Sequence, residues 1–146
     1  VVSNQYYKLL SHEETNCLGS LEAYTKLQCE ATILKNELLY FLLECFRNNK
    51  KVFAYGAAAK GNTLLNFAGI KPDLLPFICD AAKSKQSKYM PGSHIPILAP
   101  SALTELRPDF LLILPWNIAS EVKKQNAKLW NLGTKFVTAV PGLEVA

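Results

Sequence analysis

Five short apolar runs follow one another after residue 50: "KVFAY" (51–55), "LLPFICD" (74–80), "HIPIL" (94–98), "FLLILPW" (110–116) and "KFVTAV" (135–140). Their continuous apolar character, without polar alternation, reads as strands covered on both faces. Segments of helical spacing separate most of them, at 62–68, 102–106 and 118–132. Strands that alternate with helices pair in parallel through right-handed crossovers, so the pattern predicts an α/β domain with a doubly wound, mainly parallel five-stranded sheet. One link breaks the rhythm. Between the second and third runs lies "CDAAKSKQSKYMPGSHIP", a long polar loop where a helix would be expected, and long loops inside compact domains are often functional.

The first 49 residues read differently. In "SHEETNCLGS", Ser11 with Glu14 three residues on forms a capping box and Gly19 a stop, which predicts a short helix. From 21 to 48 there is neither Pro nor Gly, and Leu27, Leu34, Leu38, Phe41, Leu42 and Cys45 recur at helical spacing. This predicts a long amphipathic helix with one face on a core and the other in water. A helical segment over 1–49 packed on a sheet domain over 50–146, together one domain, is the expected organisation, and 146 residues with 49% hydrophobic content suffice for one core.

Charge and cysteine usage exclude several functions. The net charge of +4 is mild, and the lysines are scattered except at Lys83, Lys85 and Lys88. Neither a dense basic stripe nor an aromatic platform for nucleic acid is visible. Cys17, Cys29, Cys45 and Cys79 contain no C-x-x-C pair, and His12 and His94 lie in unrelated segments, so no metal site is expected. The cysteines read as small buried hydrophobes in a reducing, cytoplasmic compartment. No apolar run reaches the roughly 18 residues of a membrane span, and no signal peptide is expected.

The chemistry concentrates in "YGAAAKGNT", which follows the first predicted strand. Gly56, Ala58 and Gly61 take the first, third and sixth places of the dinucleotide fingerprint, with Ala57 between the first two and alanine in place of the middle glycine. Glycine makes the tight turn, small side chains let a phosphate approach the backbone, and a helix N-terminus follows with free N–H groups. Lys60 stands in the same turn, and Asp80 ends the next strand 24 residues later, where an acid holds a ribose hydroxyl. A purely structural Gly-Ala turn that packs helix on sheet is the alternative. Read as a P-loop, the stretch has Thr63 but Asn62 where the phosphate-binding lysine belongs. No acid stands in the first strand, as the usual loop for S-adenosylmethionine has.

Ligands of open α/β sheets sit at the carboxyl ends of strands. Pro115, Trp116 and Asn117 follow the fourth run in that position, although Asn117 also suits a helix N-cap and Trp116 a packed aromatic. Lys88, Tyr89, Pro91, Gly92 and His94 lie in the long loop that would close over a ligand, while His94 also suits a hydrogen-bonded structural role. No nucleophile with its base and no carboxylate pair is evident, so no catalytic residue is assigned.

"YGAAAKGNTLLN" (55–66), "KYMPGSHIPI" (88–97), "RPDFLLILPWN" (107–117) and "VPGLEV" (140–145) closely resemble the C-terminal domain of S-adenosylmethionine-dependent C-methyltransferases that act on nucleotide-linked deoxysugars. The likeness runs from about residue 21 to the end. Members of that family also carry an N-terminal zinc-binding segment and a middle domain that binds S-adenosylmethionine, and neither is present in this chain. The resemblance implies a Rossmann-like fold that encloses a nucleotide sugar, for instance a dTDP-sugar, against the middle domain. It implies that the turn from Gly56 to Asn62 faces the diphosphate, with Tyr55, Thr63, Asp80 and the Pro115 segment lining the crevice. It places the cofactor and the base that removes a proton beside the keto group outside this chain, so the isolated domain is expected to be inactive. Ser87 and Lys88 stand where relatives tend to carry glycine or arginine. A stand-alone NAD(P)-binding module of an oxidoreductase or sensor, and a protein-interaction module built on the long helix, remain open beside it. An apolar face left by the absent domain is expected to favour homodimers.

Overall fold

The structure, a computed structural model, describes residues 3–146. It separates into two compact units, Val1–Ile33 and Leu34–Ala146.

In the first unit, α1 runs over Asn4–Thr15. It begins seven residues before the expected cap, and Ser11 lies inside it, its carbonyl accepting a 2.7 Å bond from Thr15 Oγ1. Nothing between Asn4 and Ser11 breaks a helix, so the turn propagates through the serine at a cost of well under 1 kcal/mol. It stops at Asn16, ahead of Gly19. No residue of α1 is buried. Ser20 Oγ then accepts the Ala23 N–H at 3.1 Å and opens α2 (Leu21–Arg47). Within this unit Leu27 is 62% exposed, so the core-facing stripe expected along the whole of α2 is absent from its first part. Cys17 and Cys29 are exposed as well, contrary to the expectation of buried thiols; Cys45 and Cys79 are buried.

The second unit starts with the remainder of α2, where Leu38, Leu42 and Cys45 are buried. It continues as β1 (Val52–Tyr55), α3 (Ala59–Phe67), β2 (Ile78–Cys79), β3 (Ile97–Leu98), α4 (Ser101–Leu106), β4 (Phe110–Ile113), a 3-10 turn at Trp116–Ile118, α5 (Ala119–Gln125), α6 (Ala127–Asn131), β5 (Lys135–Thr138) and β6 (Glu144–Val145). The sheet order is β3-β2-β1-β4-β5-β6, with β1 to β5 parallel. This is the order of a doubly wound dinucleotide-binding sheet, with its topological switch between β1 and β4.

Six strands replace the five expected. The sixth is antiparallel to β5, with Val137 opposite Val145 and Thr138 opposite Glu144. Two residues carry no periodicity to read, yet the Phe136 N–H and C=O, open at the sheet edge, pair with Ala146 at 2.9 Å each. The strands are also shorter than the apolar runs, and proline accounts for it. Pro76 precedes β2, Pro96 precedes β3 and Pro115 follows β4, each without an N–H for the ladder. The segment 118–132 divides at Asn126, whose side chain turns back to the Val122 carbonyl at 2.9 Å.

Two clusters cover the sheet. Val52 and Ala54 of β1 point into one with Leu38, Leu42, Leu64 and Leu65; Phe53 and Tyr55 point into the other with Leu103, Val122 and Leu129. The long loop is less polar than its composition indicates, because Met90 and Ile95 enter the first cluster. At the foot of β1 and β4, the Asp109 carboxylate accepts the Lys51 N–H at 2.8 Å and meets the Lys50 ammonium at 3.2 Å. The Lys51 amide bond, assisted by the lysine charges, holds its pKa below the ordinary value despite partial burial. No helix among the described residues is long and apolar enough to cross a membrane.

Candidate functional site

β1 ends at Tyr55 because Gly56 takes φ +91°, a conformation that side chains rarely adopt. The Gly56 N–H donates to the Cys79 carbonyl at 2.7 Å and ties the turn to β2. A Cβ at this position would sit 2.5 Å from Pro115 Cδ, so the turn after β1 and the segment after β4 touch at the switch point only because residue 56 has no side chain. Gly61 acts likewise within the first turn of α3, where a Cβ would lie 2.6 Å from Leu114 Cβ. The two glycines thus seat the helix on the sheet, and Ala58, extended before the first turn of α3, provides no side-chain cap. The free amides of that first turn and the helix dipole favour an anion.

Asp80 is 7% exposed and accepts three hydrogen bonds. Its Oδ2 accepts the Ala57 N–H at 2.7 Å and the Lys85 ammonium at 3.1 Å, and its Oδ1 accepts the Ala82 N–H at 2.8 Å. Lys85 also donates to the Ala57 carbonyl at 3.0 Å. The carboxylate therefore splints the glycine turn to the start of the long loop. The rest of that loop folds back as a hairpin-like strap, with Tyr89 bridged antiparallel to Pro96. Its tip is docked on α3 and the segment after it: Asn66 Nδ2 donates to the Pro91 carbonyl at 2.9 Å, and Lys71 Nζ donates to the Gly92 carbonyl at 2.7 Å.

Between turn and strap lies a cleft of about 390 Å³, lined by Ala57, Ala58, Ala59, Asn62, Ser84, Lys85, Lys88, Tyr89, Met90, Pro91 and Ile97. Small-molecule sites typically span roughly 300–1,000 Å³. Most of the lining is apolar, and Lys85 and Lys88 are its two cationic residues. The Asn62 side-chain oxygen is buried without a hydrogen-bond partner. Among these lining residues there is neither a carboxylate nor an imidazole, so the cleft is chemically suited to holding an anion with an apolar body and offers no strong base for proton abstraction.

Of the residues singled out from the sequence, Ala57, Ala58, Asn62, Lys88, Tyr89 and Pro91 meet at this cleft. Gly56, Gly61, Asp80 and Pro115 build its supports rather than its lining. Lys60 is exposed on the first turn of α3. Tyr55 does not reach the cleft: it is 7% exposed in the cluster on the other face of the sheet, where burial first and then the Asp80 charge push its pKa up. Strand alternation requires this, since Ala54 occupies the near face. Thr63 is exposed and donates to the Ala59 carbonyl at 3.2 Å. Gly92 and His94 belong to the strap tip, both at positive φ, outside the cleft lining. Trp116 packs on the first cluster, and Asn117 lies within the 3-10 turn, with Ile118 rather than Asn117 in the cap position of α5. Sequence reasoning passed over Ala59, Ser84, Lys85, Met90 and Ile97. The cluster of Lys83, Lys85 and Lys88 was the available signal, but spacing does not tell which lysine folds back on the turn.

Three similarities bear on this geometry. The family described as C-methyltransferase C-terminal domain matches residues 2–141. The chain is 27% identical over 134 residues to C-methyltransferase NovU of Streptomyces niveus, an alignment covering 92% of this chain and 32% of that protein. The chain thus spans about a third of the length of this relative. Among solved structures, UDP-D-quinovosamine 4-dehydrogenase from Vibrio fischeri is similar in fold, with a TM-score of 0.50 and 21% identity over 66% of this chain and 93% of that one. A Rossmann-like sheet of the dinucleotide-binding order, a glycine turn packed on the strand-end Pro115, and a match across nearly the whole length place this chain in the C-methyltransferase C-terminal domain family.

Proposed function

We propose that this chain is the nucleotide-sugar-binding part of a sugar C-methyltransferase that uses S-adenosylmethionine, with the cleft beside the glycine turn receiving the nucleotide diphosphate of a substrate such as a dTDP-sugar. The observation that carries this reading is the convergence of the uncapped first turn of α3 with Lys85 and Lys88 on one apolar cleft of nucleotide size. Ala57, Ala58, Asn62, Lys88, Tyr89 and Pro91 contact the ligand; Gly56, Gly61, Asp80 and Pro115 keep the cleft in shape. In this reading S-adenosylmethionine and the proton-abstracting base are supplied by a region that NovU contains beyond the third aligned here. The isolated chain then binds substrate and methylates nothing.

The engagement of Asp80 weighs against the stand-alone NAD(P) module. A ribose diol needs two open acceptor positions on that carboxylate, whereas here three of its roughly four are taken by Ala57, Ala82 and Lys85. Calorimetric titration of the chain with dTDP, NAD and S-adenosylmethionine in parallel tests the reading. Binding of dTDP alone is expected. Binding of NAD alone would transfer the cleft to the dehydrogenase reading, and binding of neither nucleotide would remove the nucleotide assignment from this chain.

A further inference from the structure

The cleft has two lysines, and the fold treats them differently. The Lys88 ammonium forms no hydrogen bond or ion pair among the described residues, while Lys85 is pinned at its ammonium by the Ala57 carbonyl at 3.0 Å and by Asp80 Oδ2 at 3.1 Å. An ammonium has three N–H donors in tetrahedral array. With two directions taken, the third is set by the fold. The Lys85 side chain remains 45% exposed, so that third donor is within reach of a ligand, while the Asp80 side chain behind it is only 10% exposed. A free lysine loses rotamer freedom when it grips an anion, whereas one already held loses little. Both anchors of Lys85 belong to the glycine turn or to its splint, so the ammonium is registered to the backbone of Ala57 and to the α3 amides beside it.

We propose that Lys85 is the cation that grips a phosphate group in this cleft, and that Asp80 is a positioning residue that aims it. The inference rests on the reading of the cleft as a nucleotide site and assigns the charge recognition within it. The ligand class is a diphosphate-bearing anion. Asp80 screens part of the Lys85 charge but orients what remains, so removing the carboxylate is predicted to weaken binding although it removes a negative charge from the anion's neighbourhood. A simple electrostatic count predicts the opposite sign.

The test titrates the full 146-residue chain with dTDP and with inorganic pyrophosphate, comparing wild type, Lys85→Met, Asp80→Asn, the double variant and Lys88→Met. Lys85→Met is expected to weaken dTDP about tenfold, the loss of one charge-assisted contact. It is also expected to flatten the dependence of affinity on salt, a readout that mere loosening of the fold does not produce. Asp80→Asn is expected to weaken dTDP as well, and the double variant to be no weaker than Lys85→Met, because the two residues act as one unit. Thermal unfolding of each variant measures folding separately. If wild type binds dTDP and Lys88→Met weakens it while Lys85→Met leaves affinity and salt dependence unchanged, the inference is overturned and the nucleotide reading stands. Tighter binding by Asp80→Asn, or losses that add in the double variant, overturns the positioning role. Failure of wild type to bind either anion overturns both readings. Should Asp80→Asn not fold, the half-exposed Lys85→Met decides alone, with unchanged affinity as the overturning result.

Discussion

At the scale of single residues, absence of a side chain and placement of a charge do most to shape the second unit. Gly56→Ala puts a methyl 2.5 Å from Pro115 Cδ at a backbone φ of +91°, so strain and overlap act together. A loss of roughly 2–4 kcal/mol is expected from combining a positive-φ penalty with overpacking, measured by urea unfolding. The same variant is expected to lose dTDP binding, since the turn can escape Pro115 only by leaving the cleft. Asp109 gives a pH-dependent expectation. Its folded pKa lies below the ordinary 3.8 because the Lys51 amide and the Lys50 ammonium favour the carboxylate. The stabilisation is therefore complete above the unfolded value and fades as pH falls through the folded one. Asp109→Asn is expected to lower stability at pH 7 by up to about 1 kcal/mol, reduced by the exposure of the pair, with the difference from wild type closing as pH falls below about 4. Unfolding midpoints measured between pH 7 and pH 3 check both sign and window.

At the scale of elements, α2 carries two environments along one continuous helix. Leu38 and Leu42 are 0% and 1% exposed in the cluster under the sheet, whereas Leu21, Tyr24 and Leu27 are 81%, 61% and 62% exposed. Large-to-small substitution should separate these environments. Leu42→Ala is expected to cost about 2–5 kcal/mol and Leu27→Ala less than about 0.5 kcal/mol, compared by denaturant unfolding of the chain. A large cost at Leu27 would mean that this position is covered in solution. The amphipathic pattern from Leu27 to Cys45 was legible in the sequence, but spacing alone does not say how much of a stripe finds a partner. The same limit explains the prolines. Apolar runs announced the strands, while Pro76, Pro96 and Pro115 set where the ladder stops, because each lacks the N–H that a further ladder bond needs.

At the scale of the whole molecule, stability is expected to be uneven. The α1 helix has no buried residue, and a helix of 12 residues without tertiary cover is marginal in water. Native-state hydrogen exchange should find α1 amides exchanging with opening energies near zero, and those of β1 and β4 exchanging only through opening of the second unit. Protection of α1 comparable to that of β4 would refute this. Long-range pairing sets the contrast, since β1 and β4 are joined along four paired positions while lying more than 50 residues apart in sequence.

Class, parallel pairing and the glycine turn were determined by the sequence alone, because each is a local signal: alternation of apolar runs with helical spacing, a crossover rule, and a turn that only glycine enters easily. The ordered motifs from "YGAAAKGNTLLN" to "VPGLEV" likewise carried the family, and the match over residues 2–141 agrees. What the tertiary structure decided is everything that depends on which partner a group finds. It paired Asp80 with Ala57, Ala82 and Lys85, turned Tyr55 to the far face, picked Lys85 and Lys88 out of three neighbouring lysines, and added β6 at an edge whose amides needed acceptors. A sequence states which groups can bond or pack. Burial decides which must, because an unpaired polar group or an uncovered apolar face costs free energy only in a particular three-dimensional place.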